Sequence, residues 1–487
     1  MAQMTNHVLK IQVEQGSFRS RLLRCLETIG GAYRVIQRSG ALKQQDNHQS
    51  NALEWIEIGI PLHREVAETR NWIMNSELTQ YKGMSVKSIK QRLELAGIYH
   101  NINNQQPDQA WANTKAAYFR RYKVSVFHLK ALRAVPLRTG GKMSSMHEQQ
   151  PDRQSPLWKR LERTAVKTLY ALGLDLGEVL INAGEEGKFI IEEIHVTPDA
   201  RDDSVVPLFA QAMSSLLDEL HTFSVVKPEI LLGMDPEFLL FDHGNRKVVP
   251  ASRYLNRQGE AGCDVLRYRG RKLYPLAELR PAPGREPSEI VLHLLHAFRS
   301  AQRAIPDNGL LWQAGGMPQR GFPLGGHVHF SGVPLTGELL RALDNYLALP
   351  VAAIEDPGSF RRRPLYGNLG DFREQGYGGF EYRTLPSFLV SPLVTKGVVA
   401  LARLIVENVG ELSLRPLHRD EIYQAFYTGD QKMLRYALPP LINDITSATT
   451  YHRYENYISP FLEAVLSGQT WDESADIRRL WKIQNRS

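Results

Sequence analysis

The sequence is poor in cysteine: only Cys25 and Cys263 occur in 487 residues, far apart and without CxxC spacing. That excludes a disulfide scaffold and a cysteine-ligated zinc site, and it reads as two reduced structural thiols in a cytoplasmic protein. Long apolar runs are missing as well. No stretch approaches the length that spans a bilayer, and the amino terminus lacks the charged-then-apolar order of a signal peptide. Dense basic blocks are absent: the formal charge of +7 is spread along the chain, which argues against nucleic acid and suits a small anionic ligand. Neither an internal repeat nor a low-complexity tract is present. With 43% hydrophobic and 23% charged residues the composition is that of an ordinary globular protein, too long for one core, so two or three domains are expected.

Against this background one stretch stands out, Gly233-Met-Asp-Pro-Glu-Phe-Leu-Leu-Phe-Asp242. Read as a single strand, it places Asp235 and Glu237 on one face, with Phe238 and Leu240 on the other. Two carboxylates this close favour a hard divalent cation between them, since without one at least one carboxyl is driven toward protonation. Four later stretches carry matching chemistry: Ala277-Glu-Leu-Arg-Pro281, Gly325-Gly-His-Val-His-Phe-Ser331, the arginine-rich Phe360 to Arg373, and Phe380-Glu-Tyr-Arg-Thr-Leu-Pro386. On extended backbone Glu278 and Arg280 share a face, as do His327 and His329, and Glu381 and Arg383. Each pattern alone has a plain explanation. Alternating charges occur on solvated strands, paired histidines in cores, and arginine triplets on surfaces. The ordered set is harder to obtain by accident, and carboxylates plus imidazoles for metal with arginines for anions suit phosphoryl transfer.

Taken in order, Asp-Pro-Glu-Phe-Leu-Leu-Phe-Asp, Gly-Gly-His-Val-His-Phe-Ser and Phe-Glu-Tyr-Arg-Thr-Leu-Pro resemble glutamine synthetase and γ-glutamylcysteine ligase. The whole set is most similar to the phage-type carboxylate-amine ligases, or amidoligases, of that superfamily, over roughly residues 228 to 395. The resemblance implies an ATP-dependent ligase that joins a small-molecule or peptide carboxylate to an amine through an acyl phosphate. It implies Mg2+ or Mn2+ held by Asp235, Glu237, Glu278, His327 and Glu381, phosphate contacts from His329 and Arg383, and transition-state or carboxylate contacts from Arg363 and Arg373, with Tyr366 as a wall. Two other readings stay open at this point: a guanidino-kinase-like phosphotransferase on the same fold, and a non-catalytic nucleotide- or peptide-binding protein.

Upstream, apolar runs at 7–13 and 55–60 predict strands, with helices at Phe18–Ile29 and Lys87–Ala96. A hairpin turn is predicted at Leu129-Lys-Ala and a mobile loop over 139–155. A helix is expected at Trp158–Leu172, strands at Leu176–Asn182 and Phe189–His195, and a helix at Val205–Phe223. This order resembles part of an ATP-grasp domain, but Leu180 stands where a carboxylate would be implied, His195 in place of Asn and Lys123 in place of Arg. Only Glu193 keeps the implied type. The nucleotide-clasping segment would have to fit between Tyr99 and Arg120, which holds no Gly-rich loop. The expected fold is therefore α+β: a degenerate ATP-grasp-like domain at 1–224, a glutamine synthetase-like antiparallel catalytic core at 225–395, and a helical region at 396–487 that completes it.

Overall fold

A computed structural model describes residues 5–29, 34–38, 53–59, 68–102, 120–137, 150–184 and 187–483. Most of the predicted 139–155 loop and most of the Tyr99–Arg120 segment lie outside these residues. The chain forms two compact units, residues 1–227 with 336–338, and residues 228–335 with 339–487. Both are mixed α and β. Among the described residues, no helix is long and apolar enough to cross a membrane, and both cysteines are free thiols.

The first unit holds two sheets. Strands β1 (Thr5–Glu14), β2 (Arg34–Arg38), β3 (Leu53–Gly59) and β4 (Glu68–Met74) run in the order β2-β3-β1-β4. Alternating Leu9, Ile11 and Val13 of β1 face Phe18 and Leu22 of helix Ser17–Thr28 and Phe209 and Met213 of helix Val205–Val226. Phe18 and Phe209 meet edge to face at 5.6 Å. The second sheet has the order β5-β9-β8-β6-β7, formed by β5 (Tyr99–His100), β6 (Arg120–Phe127), β7 (Lys130–Leu137), β8 (Leu176–Ala183) and β9 (Phe189–His195). In it Lys123, Leu180 and Glu193 lie side by side in register. The buried carboxylate of this sheet is Glu178, two residues before Leu180. It accepts Ser125 Oγ at 2.7 Å and the Asp199 amide at 3.0 Å, a pairing that satisfies it internally.

In the second unit, β10 (Leu231–Met234), β16 (Val328–Ser331), β17 (Phe372–Glu374) and β18 (Phe380–Tyr382) form an antiparallel sheet in the order β10-β16-β18-β17. A second antiparallel sheet has the order β12-β11-β14-β13, from β11 (Glu237–Asp242), β12 (Lys247–Val249), β13 (Ala261–Tyr268) and β14 (Arg271–Leu279), with β15 (Leu310–Gln313) also paired to β11. The stretch read as one strand is therefore two. Pro236 has no amide hydrogen to continue a ladder, and the chain passes from one sheet to the other at Asp235-Pro236. Behind β11, Phe238 stacks on Trp312 at 4.7 Å, and Phe298 and Trp481 extend the aromatic layer. Trp481 is tied down by its indole N–H, which donates to the Leu389 carbonyl at 2.7 Å. Helices from Pro392–Glu407 to Ile477–Trp481 make up the carboxyl-terminal part, and buried Glu473 caps the Met317 amide at 2.9 Å. Helix Gly337–Leu343 runs into a π-helical segment, Asp344–Ala348.

Candidate active site

The candidate site is a row and a seam. Across the first sheet of the second unit, register places Gly233, His329, Glu381 and Arg373 side by side on four strands. Across the other sheet Glu237 lies opposite Glu278. The seam between them is Asp235-Pro236. There the Asp235 amide donates to the His327 carbonyl at 3.3 Å, and the Glu237 amide to the Gly325 carbonyl at 3.0 Å. The double glycine has a local reason. A Cβ on Gly325 would lie 2.5 Å from His327 Nε2, and one on Gly326 would run into the Pro386 carbonyl. Without side chains, this segment can lie against β11 and give the Gly325 amide to Glu237 Oε2 at 2.6 Å.

Polar atoms converge on the seam. His327 Nδ1 lies 2.9 Å from Asp235 Oδ1 and 3.1 Å from Glu381 Oε1, and His329 Nε2 lies 3.0 Å from Asp235 Oδ2. His327 sits just before β16, so the two imidazoles reach Asp235 from a coil position and a strand position. Glu381, only 1% exposed, also meets Arg373, Arg383 Nε at 3.0 Å, and Gln375 Nε2 at 2.8 Å. Glu278 is paired with Arg280, the neighbour that shares its face.

Burial and charge divide the carboxylates. Burial pushes Asp235 up, but His327 and His329 outweigh it and hold the carboxyl well below its usual range. Glu237 is pushed up to about 7 by burial, against the opposing pull of His327 and the Gly325 amide. Burial and the Asp235 charge raise Glu278 despite Arg280. For His327 burial works downward, and the surrounding carboxylates, Asp235 first, turn the balance upward.

The structure brings together Asp235, Glu237, Glu278, His327, His329, Glu381, Arg373 and Arg383. It does not add Arg363 to their contacts. Arg363 is buried, donates to Glu355 Oε1 at 2.5 Å and to the Phe426 carbonyl at 2.8 Å, and lies over the Phe426 ring. Its neighbour Arg362 is also fully buried; burial lowers it to about 10. Tyr366 is half exposed and senses the charges of Glu237 and Arg383. Three contributors carried no signal in the sequence. Gln375 and Tyr377, from the turn between β17 and β18, reach Glu381 and His329 Nδ1, the latter at 3.2 Å. Asp264 on β13 adds negative potential to Glu237 and Glu278.

A divalent cation fits this donor set. Asp235, His329 and Glu381 each offer a ligand atom within 4.8 Å of the others. Asp235 Oδ1 and His327 Nδ1, though adjacent, are buried without a directed hydrogen bond, as suits atoms aimed at a shared third body. Binding to the folded state alone should stabilise it: millimolar Mn2+ is expected to raise the melting temperature by about 3–6 °C. Glu381→Gln should erase that shift in differential scanning fluorimetry. A shift of equal size in the variant would place the ion elsewhere.

Residues 232–483 match the family model described as "Phage phiEco32-like COOH.NH2 ligase-type 2". No curated protein sequence matches the chain. Among solved structures it is similar to a bifunctional glutathione synthetase from Pasteurella multocida, at 12% identity and a TM-score of 0.30, over 55% of this chain and 54% of that one. The match thus spans about half the length of that enzyme. It is also similar to apo GmaS, at 13% identity and a TM-score of 0.28, over 62% of this chain and 84% of that one. The third is a glutamine synthetase from Plasmodium falciparum, at 11% identity and a TM-score of 0.29, over 74% and 95%.

Proposed function

The chain belongs to the phage phiEco32-like COOH.NH2 ligase-type 2 family, and on that premise we propose that it is an ATP- and Mg2+- or Mn2+-dependent carboxylate-amine ligase acting through an acyl phosphate. The observation that carries this reading is the convergence of Asp235, His327, His329 and Glu381 at the seam, with Glu237 and Glu278 facing each other on the adjoining sheet. In this reading those carboxylates and His327 would hold the divalent ions, joined by His329, which the sequence assigned to phosphate, and the ions, when bound, would neutralise charge on phosphoryl oxygens. Arg383 and Arg373, at the rim of the same cluster, bind phosphate and substrate carboxylate through guanidinium forks. The substrate carboxylate attacks the γ-phosphorus and ADP leaves; the amine then attacks the acyl carbon and inorganic phosphate leaves. Arg363, implied by the resemblance to meet the transition state or substrate carboxylate, is engaged with Glu355 and the Phe426 carbonyl, so the phosphate and carboxylate contacts are given to Arg383 and Arg373 in this reading.

The partners are small-molecule or peptide carboxylates and amines, and the same groups would serve a phosphotransferase. Products decide. With 18O in the substrate carboxylate, a ligase transfers label into inorganic phosphate and yields an amide, detected by mass spectrometry. A stable phosphorylated product without free phosphate or amide would replace the ligase reading with that of a kinase.

A further inference from the structure

The contacts of Glu381 go beyond what a metal ligand needs. Oε1 is met by Arg373 Nη2 at 3.2 Å, Arg383 Nε at 3.0 Å and His327 Nδ1 at 3.1 Å. Oε2 is met by Arg373 Nε at 3.1 Å and Gln375 Nε2 at 2.8 Å. A carboxylate has about four lone-pair directions, and here protein groups approach both oxygens, with directed hydrogen bonds from Arg373 Nη2 to Oε1 and from Gln375 Nε2 to Oε2. A cation that binds Glu381 competes with these groups for its charge, and Arg373 is the one that contacts both oxygens.

The two arginines are not equal in this respect. Arg383 Nε is buried and its approach to Glu381 lacks hydrogen-bond direction. Arg373 straddles both oxygens, yet its side chain is 55% exposed and rises from the outer strand β17 of its sheet. It can swing into solvent once another cation takes its place on buried Glu381, and its freed guanidinium is then a ready fork for a phosphoryl or carboxylate oxygen.

We propose that Arg373 is the resident cation of Glu381 and exchanges with the divalent ion, so that metal entry releases the arginine to receive the anionic substrate. This inference rests on the metal-site reading above and makes Arg373 a positioning residue that couples the two ligands. Linkage makes the coupling reciprocal: an anion that draws Arg373 away from Glu381 tightens metal binding by the factor by which metal tightens anion binding. The sign is opposite to that of a residue that simply supports a metal site, whose loss weakens binding.

The test uses the full chain, Mn2+ followed by electron paramagnetic resonance, and sulfate as a phosphoryl analogue. Without sulfate, Arg373→Gln should bind Mn2+ more tightly than the parent, by up to about fivefold for loss of a half-exposed competing ion pair. Sulfate should tighten Mn2+ binding in the parent and leave Arg373→Gln unchanged, while Arg373→Lys, charged but without a fork, should fall between. If the parent binds Mn2+ and Arg373→Gln binds it equally or more weakly, the exchange is wrong and the metal site stands. If the parent binds no Mn2+, and Glu381→Gln changes nothing, both readings fall.

Discussion

Glu237→Gln is expected to abolish metal-dependent ATP turnover, a loss on the order of a thousandfold (about 4 kcal/mol), while the protein stays folded. Both halves of that expectation come from the same burial. Glu237 lies inside, opposite Glu278, with one oxygen held by the Gly325 amide and its carbonyl accepting Ser387 Oγ at 2.5 Å. Glutamine keeps the shape and an acceptor for the Gly325 amide but removes the anion that a cation requires. The stability sign is explicit. A carboxyl raised to about 7 in the folded state binds its proton more tightly there than in the unfolded chain. Its ionised form therefore opposes folding above about pH 7, and that penalty disappears as the pH falls through the folded value and below the unfolded one. Glutamine carries no such charge, so in metal-free buffer at pH 8 the variant should melt at or above the parent temperature. Glu192→Gln, in the first unit, removes a carboxylate bonded to Arg121 and Asn182 and should leave turnover within a few-fold. If Glu192→Gln proves as damaging as Glu237→Gln, the chemistry belongs to the first unit instead.

Arg383→Lys should lower turnover by about a hundredfold (about 2.7 kcal/mol) with little change in ATP affinity. Arg383 follows β18 directly and stands 3.0 Å from Glu381, with its own amide fixed to the Asp371 carbonyl at 2.8 Å. Its backbone is pinned while its guanidinium borders the carboxylates, which is the placement for stabilising charge on a phosphoryl group in transit. Lysine preserves the charge and loses the planar fork, so an interaction strongest in the transition state suffers more than ground-state binding. Steady-state kinetics and equilibrium ATP binding separate the two. An equal loss in both would assign Arg383 to ATP capture alone.

How far the sequence foretold this site depends on the kind of contact. Motifs that lie along one strand were readable, because alternation is a local rule: Glu381 and Arg383 end on the same side, and so do Glu278 and Arg280, each as a contacting pair. The helices at Ser17–Thr28 and Pro156–Ala171 were readable from their apolar spacing. Asp235 and Glu237 were misread as one strand, although the proline between them was the clue to a change of sheet. For Arg361-Arg-Arg363 the spacing gave no such guide. Whether a cation is free for an anion depends on which carboxylates the fold sets around it, and Glu355, the partner of Arg363, gave no pattern to follow. Gln375 and Tyr377 depend on the length of the turn between β17 and β18, and Asp264 on the pairing of β13 with β14. None of these relations is written in spacing along the chain.

The row Gly233–His329–Glu381–Arg373 also bears on how fast the molecule comes apart. The contacts around it join distant parts of the chain: Asp235 and His329 are 94 residues apart, and Ser387 reaches back 150 residues to Glu237. Such closures form late, after the entropy of long loops has been overcome. An ion gripped by this row has little to hold in a half-assembled chain, so it should leave the folding rate nearly untouched and act almost wholly by slowing unfolding. Bound metal would then extend the lifetime of the native fold against heat and proteases, and the centre proposed for catalysis would double as the last clasp to open.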